Sequence, residues 1–197
     1  MAGGGGSGGS HGSSKNIPYS QFHHMSKITD NLYLTSAYGA SSPTACRAKG
    51  ISCVINATLS FQSPTPKYDP GTEFIRVPVD DVPTANIAPY FDRIADKIYS
   101  VKKTQGRCMV HCYAGRSRSA TLVIVYLMKY EGMTLRKAYH FVKARRVVIR
   151  PNPGFWKQMI HYEMLLKGPS GSTVKMVQTG IGWVPDIYKD EMRDLVW

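Results

Sequence analysis

The chain reads as an α/β domain with a central, mostly parallel sheet of about five strands flanked by helices. Short β-rich runs alternate with longer segments of helical period, which is how parallel strands joined by crossover helices look in sequence. Gly and Pro punctuate the ends of those segments. A length of 197 residues is enough for one domain with a sizeable buried core.

The elements follow in order. Residues 1–20 are Gly/Ser-rich and read as a flexible arm, with the folded domain over 21–168. Ile28 to Leu34 alternates as two short strands around an Asp30-Asn31 turn. Ser42-Pro43 is an N-cap followed by Pro at the first helical position, and Gly50 stops that helix. Ile51 to Ile55 and Phe74 to Val79 are strands, separated by a Pro-rich loop from Ser63 to Gly71. Phe91, Ile94, Ala95 and Ile98 share one face of a helix that ends near Gly106. Cys108 to His111 is a short strand, followed by a Gly-bearing loop and an apolar helix from Ser119 to Tyr130.

Leu135, Ala138, Tyr139 and Val142 form the apolar stripe of the next helix, with Arg136, Lys137, His140 and Lys143 toward water. Asn152-Pro153 caps the last helix, whose stripe is Phe155, Met159, Tyr162 and Leu166, with Gly168 as its stop. Residues 169–197 show no period. Their scattered Val, Ile, Trp and Tyr predict an extension packed back on the domain.

Lys and Arg number 25 against 13 Asp and Glu, a net charge of +12. Such a surface attracts anionic partners: phosphoprotein, nucleic acid or an acidic membrane face. The most apolar run, Ala120 to Met128, is about half the ~20 residues a membrane helix needs. The N-terminus lacks the pattern of a secretory signal, and Ala2 stands where myristoylation requires Gly. The expected location is therefore the cytoplasm, and the nucleus as well. Cys46, Cys53, Cys108 and Cys112 lack the paired spacing of a zinc site, and no disulfide framework is expected. The sequon Asn56-Ala57-Thr58 is then accidental.

The chemistry is concentrated in His111-Cys112-Tyr113-Ala114-Gly115-Arg116-Ser117-Arg118-Ser119, between a strand and a helix N-terminus. Backbone N–H groups and the helix dipole make that junction attractive to an anion, and Gly115 permits a tight bend. A thiol in such an electropositive field favours its nucleophilic thiolate. Arg118 follows Cys112 after five residues, enough chain to curl round a phosphate, and its planar fork can hold two phosphoryl oxygens. Ser119 can donate a hydrogen bond to the Cys112 sulfur. His111 is expected to order the loop through hydrogen bonds. A lone cysteine at a helix start is usually a core residue; the combination with Arg118, Ser119 and Gly115 favours catalysis.

The pattern Cys-x5-Arg followed by Ser resembles the protein tyrosine phosphatase superfamily, and His-Cys-x-Ala-Gly-x-Ser-Arg-Ser-Ala resembles its dual-specificity phosphatases. The similarity runs from about Ile28 to Gly168 and includes Val54-Ile55-Asn56-Ala57, Asp80-Asp81-Val82-Pro83 and Arg150-Pro151-Asn152-Pro153. Tail segments Ser172 to Val177 and Val184 to Tyr188 resemble the small atypical branch of that family. The resemblance implies a phosphocysteine mechanism, with no metal or other cofactor. Implied substrates are phosphotyrosine and phosphoserine/threonine in kinase-signalling proteins such as MAP kinases. Tyr113, Ala114, Gly115, Arg116, Ser117 and Arg118 would then hold the phosphate.

A general acid is also needed, on a mobile loop. Asp80 and Asp81 both stand in the turn where the family carries its acid, and the resemblance favours Asp81. Asn152 caps a helix, and in relatives the matching Asn braces the catalytic loop. Arg145, Arg146 and Arg150 either recruit anionic substrate or form a solvated basic helix end. Cys53 and Cys108 read as core residues, with Cys53 or Cys46 considered as an oxidation shield for Cys112. Tyr113 and Arg116 depart from the family's commoner small and apolar residues and leave substrate preference open. The same chemistry on RNA 5′-phosphate or a phosphoinositide is a second reading, although no base-stacking pattern is evident and nucleic acid is not expected. A non-catalytic phosphoprotein-binding module is a third, and it would not need Cys112.

Overall fold

The computed structural model describes residues 23–63, 65–180 and 182–189; the N-terminal arm lies outside them. Strands β1 (Ser26–Thr29) and β2 (Leu32–Ser36) form a hairpin, followed by the short helices α1 (Ala37–Ala40) and α2 (Pro43–Ala48). Strands β3 (Cys53–Asn56) and β4 (Glu73–Arg76) precede helix α3 (Phe91–Lys103), strand β5 (Cys108–Cys112) and helix α4 (Arg118–Tyr130). Helices α5 (Leu135–Arg145) and α6 (Pro153–Lys167) lead to a separate hairpin of β6 (Met176–Thr179) and β7 (Gly182–Pro185). The main sheet has the order β1-β2-β5-β3-β4. Only the β1–β2 pair is antiparallel. This is the five-stranded, mostly parallel α/β architecture expected.

Strand β5 is central, and all its residues are buried. Helix α4 is buried from Arg118 through Met128, packed among α3, α5 and α6. A helix apolar on all sides has to be interior, and each of its Leu, Val and Ile side chains contributes about 1.5–3 kcal/mol by burial. The loop from Tyr113 to Ser117 joins these two enclosed elements, so its ends are fixed.

Several elements differ from expectation. The strand from Phe74 stops at Arg76, because Pro78 has no N–H for the ladder; Val79 N instead donates to Val77 O at 2.9 Å, closing a three-residue turn. Helix α1 is too short to show a period; Ser36 caps it by accepting from Gly39 N. Leu166 is exposed, and the fully buried Glu163 shares the inward face of α6 instead. Arg136 does not face water freely. It donates to Thr173 O at 2.9 Å and to Asp186 Oδ2 at 2.6 Å.

Arg136 thereby ties down the segment after α6, where Val174, Ile187 and Tyr188 are buried. Tyr188 Oη accepts from Trp156 Nε1 at 2.9 Å and donates to Pro151 O at 3.1 Å. Asn56 and Thr58 of the sequon are fully buried, with Thr58 Oγ1 donating to Asn56 Oδ1. Among the described residues, no helix is long and apolar enough to cross a membrane.

Glu163 accepts hydrogen bonds from Leu135 N, Thr173 N and Ser172 Oγ, each at 2.7 Å. Burial alone would raise its carboxyl, but the Leu135 and Thr173 N–H groups and the Ser172 and Thr173 hydroxyls together hold it below the ordinary glutamate value. A depressed folded value contributes stability above the ordinary pKa of about 4.3, and that stability is lost as pH falls through the folded value. Glu163→Gln is expected to lower Tm by roughly 5 °C at neutral pH. In thermal melts the variant's deficit should shrink toward pH 3; a deficit independent of pH would contradict this account.

Candidate active site

The carboxyl ends of β2, β5 and β3 lie side by side, and Ser36 and Asn56 stand opposite Cys112 and His111 in register. Open α/β sheets place their ligand sites at such strand ends. After Cys112 the chain turns through residues 113–117 and enters α4 with Arg118 and Ser119 in the first turn.

The loop's carbonyls are held from outside. Tyr113 O accepts from Ala37 N at 3.0 Å, Gly115 O from Arg146 Nε at 2.8 Å, and Arg116 O from Arg150 N at 2.9 Å. Among the described residues, the N–H groups of 113–117 donate to no protein acceptor. They are the donors an oxyanion would need. Gly115 has φ +65°, and a Cβ there would lie 2.4 Å from Thr35 O and 2.6 Å from Arg146 Nη2. Only glycine fits.

Cys112 is almost completely buried, and Ser119 Oγ lies 3.1 Å from its Sγ. Arg118 is also buried; its Nη1 donates to Gln62 Oε1 at 2.5 Å and to Val79 O at 3.1 Å. Its Nε has no hydrogen-bond partner among the described residues and lies 3.9 Å from Asp81 Oδ2.

The two aspartates differ in what they face. Asp81 faces Arg118 and accepts from Asn152 Nδ2 at 2.9 Å. Asp80 is engaged in the turn itself, its Oδ1 accepting from Asp81 N at 2.8 Å and Gln62 Nε2 at 3.2 Å. Asn152 makes three links: Oδ1 caps α6 by accepting from Phe155 N, N donates to Ser117 Oγ, and Nδ2 donates to Asp81. A Cβ on Gly154 would sit 1.8 Å from Pro83 O, so the first turn of α6 rests directly on the turn that bears Asp80 and Asp81. Where a mobile loop was expected, the turn is braced on α6.

Several residues behave otherwise than expected. Both ring nitrogens of buried His111 lack a hydrogen-bond partner among the described residues. Burial pulls it down to about 4, although the Cys112 backbone acts in the opposite direction, and it is neutral at neutral pH. Arg146 is neither a recruiter of substrate nor a solvated cation. It is 98% removed from solvent and donates to Gly115 O, His24 O and Ala114 O. Burial lowers its guanidinium to about 10, which leaves it charged at neutral pH.

Arg145 lies over the Phe141 ring and Arg150 over the Tyr188 ring. Arg116 Nε donates to Val148 O at 3.1 Å, while Tyr113 is 63% exposed. Cys53 is the strand partner of Cys108, and Cys112 lies four residues further along β5, roughly 13 Å at strand rise. Cys53 is therefore not placed to shield it, and Cys46 packs in a different core cluster, with Met25, Tyr33 and Met109. Gln62 had no signal in sequence: a single Gln in a Ser/Pro-rich loop reads as solvent-facing.

The model of the dual specificity phosphatase catalytic domain matches residues 32–164. Mouse dual specificity protein phosphatase 14 is 51% identical over 173 residues, covering 87% of this chain and 84% of that protein. Bovine dual specificity protein phosphatase 18 is 44% identical over 172 residues, covering 87% and 89%. The crystal structure of human DUSP28 superposes with a TM-score of 0.69 at 33% identity, covering 73% of this chain and 95% of that one. The fold, the braced loop and these similarities converge: the chain belongs to the dual-specificity phosphatases and is a protein phosphatase of that family.

Proposed function

We propose that this phosphatase hydrolyses phosphotyrosine and phosphoserine/threonine through a phosphocysteine intermediate formed on Cys112. The observation that carries this reading is the gathering of Cys112 Sγ, Ser119 Oγ, Arg118 and Asp81 around one loop of free N–H donors. The Cys112 thiolate attacks phosphorus, and the bond to the substrate oxygen breaks as Asp81 protonates that oxygen. Arg118 and the loop N–H groups hold the equatorial oxygens as charge spreads over them. Water then attacks the phosphocysteine, and Asp81 takes its proton. The sulfur leaves as thiolate, stabilised by the Ser119 hydroxyl. Asn152 aims Asp81. The substrates inferred from the resemblance are kinase-signalling proteins, MAP kinases among them.

Asp81→Asn is expected to lower kcat on a phosphopeptide by about 10²–10⁴, the usual worth of a general acid, and to flatten the alkaline limb of the pH–rate profile. Asp80→Asn should cost far less. Single-turnover rates decide between them, and an unchanged Asp81→Asn rate would remove this residue from the mechanism. Comparing kcat/KM for phosphopeptides, phosphoinositides and triphosphorylated RNA tests the substrate class.

A further inference from the structure

We propose that Gln62 is a positioning residue that joins the Arg118 guanidinium to the acid turn, a role that rests on reading Arg118 as the phosphate clamp. Gln62 lies 56 positions from Arg118 in the chain, yet both ends of its amide are engaged at the site. Oε1 accepts from Arg118 Nη1 at 2.5 Å and from Leu59 N at 3.3 Å. Nε2 donates to Asp80 Oδ1 at 3.2 Å, and that same oxygen accepts from Asp81 N at 2.8 Å. The orientation of the amide follows from its neighbours. A flipped group would set NH₂ against a guanidinium and a carbonyl against a carboxylate.

The consequence concerns which edge of Arg118 meets substrate. Nη1 has two hydrogens, and Gln62 Oε1 and Val79 O take both. Nε and Nη2 remain, the pair that forms a fork for two phosphoryl oxygens. Nε is buried without a hydrogen-bond partner among the described residues. Without Gln62, Arg118 keeps its charge but loses one of the two contacts that fix its plane. The guanidinium can then turn toward Asp81, whose Oδ2 is already 3.9 Å from Nε. Through Asp80, the same amide also steadies the backbone that carries the acid.

The test is Gln62→Met, which keeps the length of the side chain and removes the amide. Its kcat/KM on an aryl phosphate is expected to fall about tenfold, the scale of one hydrogen bond to a charged group. Inhibition by orthovanadate, a five-coordinate mimic of the transferring phosphoryl group, should weaken by a similar factor. Tm should stay within about 2 °C of the parent. In an Arg118→Lys background, which has no fork, Gln62→Met should change vanadate affinity by less than about twofold. Gln62→Ala carries the same expectations if the Met variant folds poorly.

Vanadate affinity within about twofold of wild type for both Gln62 variants would overturn the role, as would equal losses in the two Arg118 backgrounds. If Arg118→Lys alone leaves kcat/KM intact, the clamp reading itself fails. A crippled Arg118→Lys beside a normal Gln62→Met rejects only the part assigned to Gln62.

Discussion

Cys112→Ser is expected to lower kcat/KM on an aryl phosphate by roughly 10⁴–10⁶, or about 5–8 kcal/mol of transition-state stabilisation. A hydroxyl needs a base where a thiolate does not, and the structure offers none. The only side chain hydrogen-bonded to Cys112 among the described residues is Ser119, itself a hydroxyl. The neighbouring His111 is buried, and neither of its ring nitrogens is hydrogen-bonded to the Cys112 side chain among the described residues. Phosphate binding should survive, because the loop N–H groups and Arg118 are untouched. A phosphopeptide titrated into the Ser variant should therefore still bind, and rapid quench of the wild type should trap a phosphoenzyme that the variant lacks. A variant that still turned over would dismiss Cys112 as the nucleophile.

Arg146→Met should be the most damaging substitution away from the reacting atoms. It removes a buried cation that holds two carbonyls of the catalytic loop, Ala114 O and Gly115 O, against His24 O of the chain preceding β1. Met fills much of the volume but leaves those acceptors unpaired in an interior where each costs about 1–3 kcal/mol. A loss of roughly 3 kcal/mol corresponds to a Tm lowered by about 6–12 °C for a chain of this size. Activity should fall by more than about tenfold as the loop loses its outer support. Arg146→Lys should not rescue, because one ammonium cannot present a planar fork to acceptors on separate segments. Differential scanning calorimetry beside kcat/KM checks both effects; an unchanged Tm would mean the loop is held by its other contacts alone.

What the sequence disclosed depended on how local each feature is. Cys112 to Ser119 is contiguous, and its meaning lies in spacing along one loop. The faces of α3, α5 and most of α6 follow from a period that any amphipathic helix shows. Asp81 could be separated from Asp80 only by resemblance, since two adjacent carboxylates in a turn look alike until one faces Arg118. Gln62, Arg146, Arg136 and Glu163 were illegible for a common reason. Polar or charged residues without a pattern read as solvent-facing, and each of these is engaged by a segment far away in the chain. Tertiary contact decides such residues, and one sequence carries no record of it.

The contact between Gly154 and Pro83 bears on how this enzyme can be inhibited. Compounds that stall a phosphatase by wedging its acid loop open need a second resting position for that loop. Here the turn bearing Asp81 is pinned by the N-terminal end of α6, through the Gly154 backbone and the side chain of its cap, Asn152. A small molecule has two routes left. It can carry a doubly charged phosphate mimic into the loop itself, or it can lever α6 as a body and carry the acid away with it. The second route needs no negative charge, which makes the seam between α6 and the acid turn the better target for a cell-permeable compound.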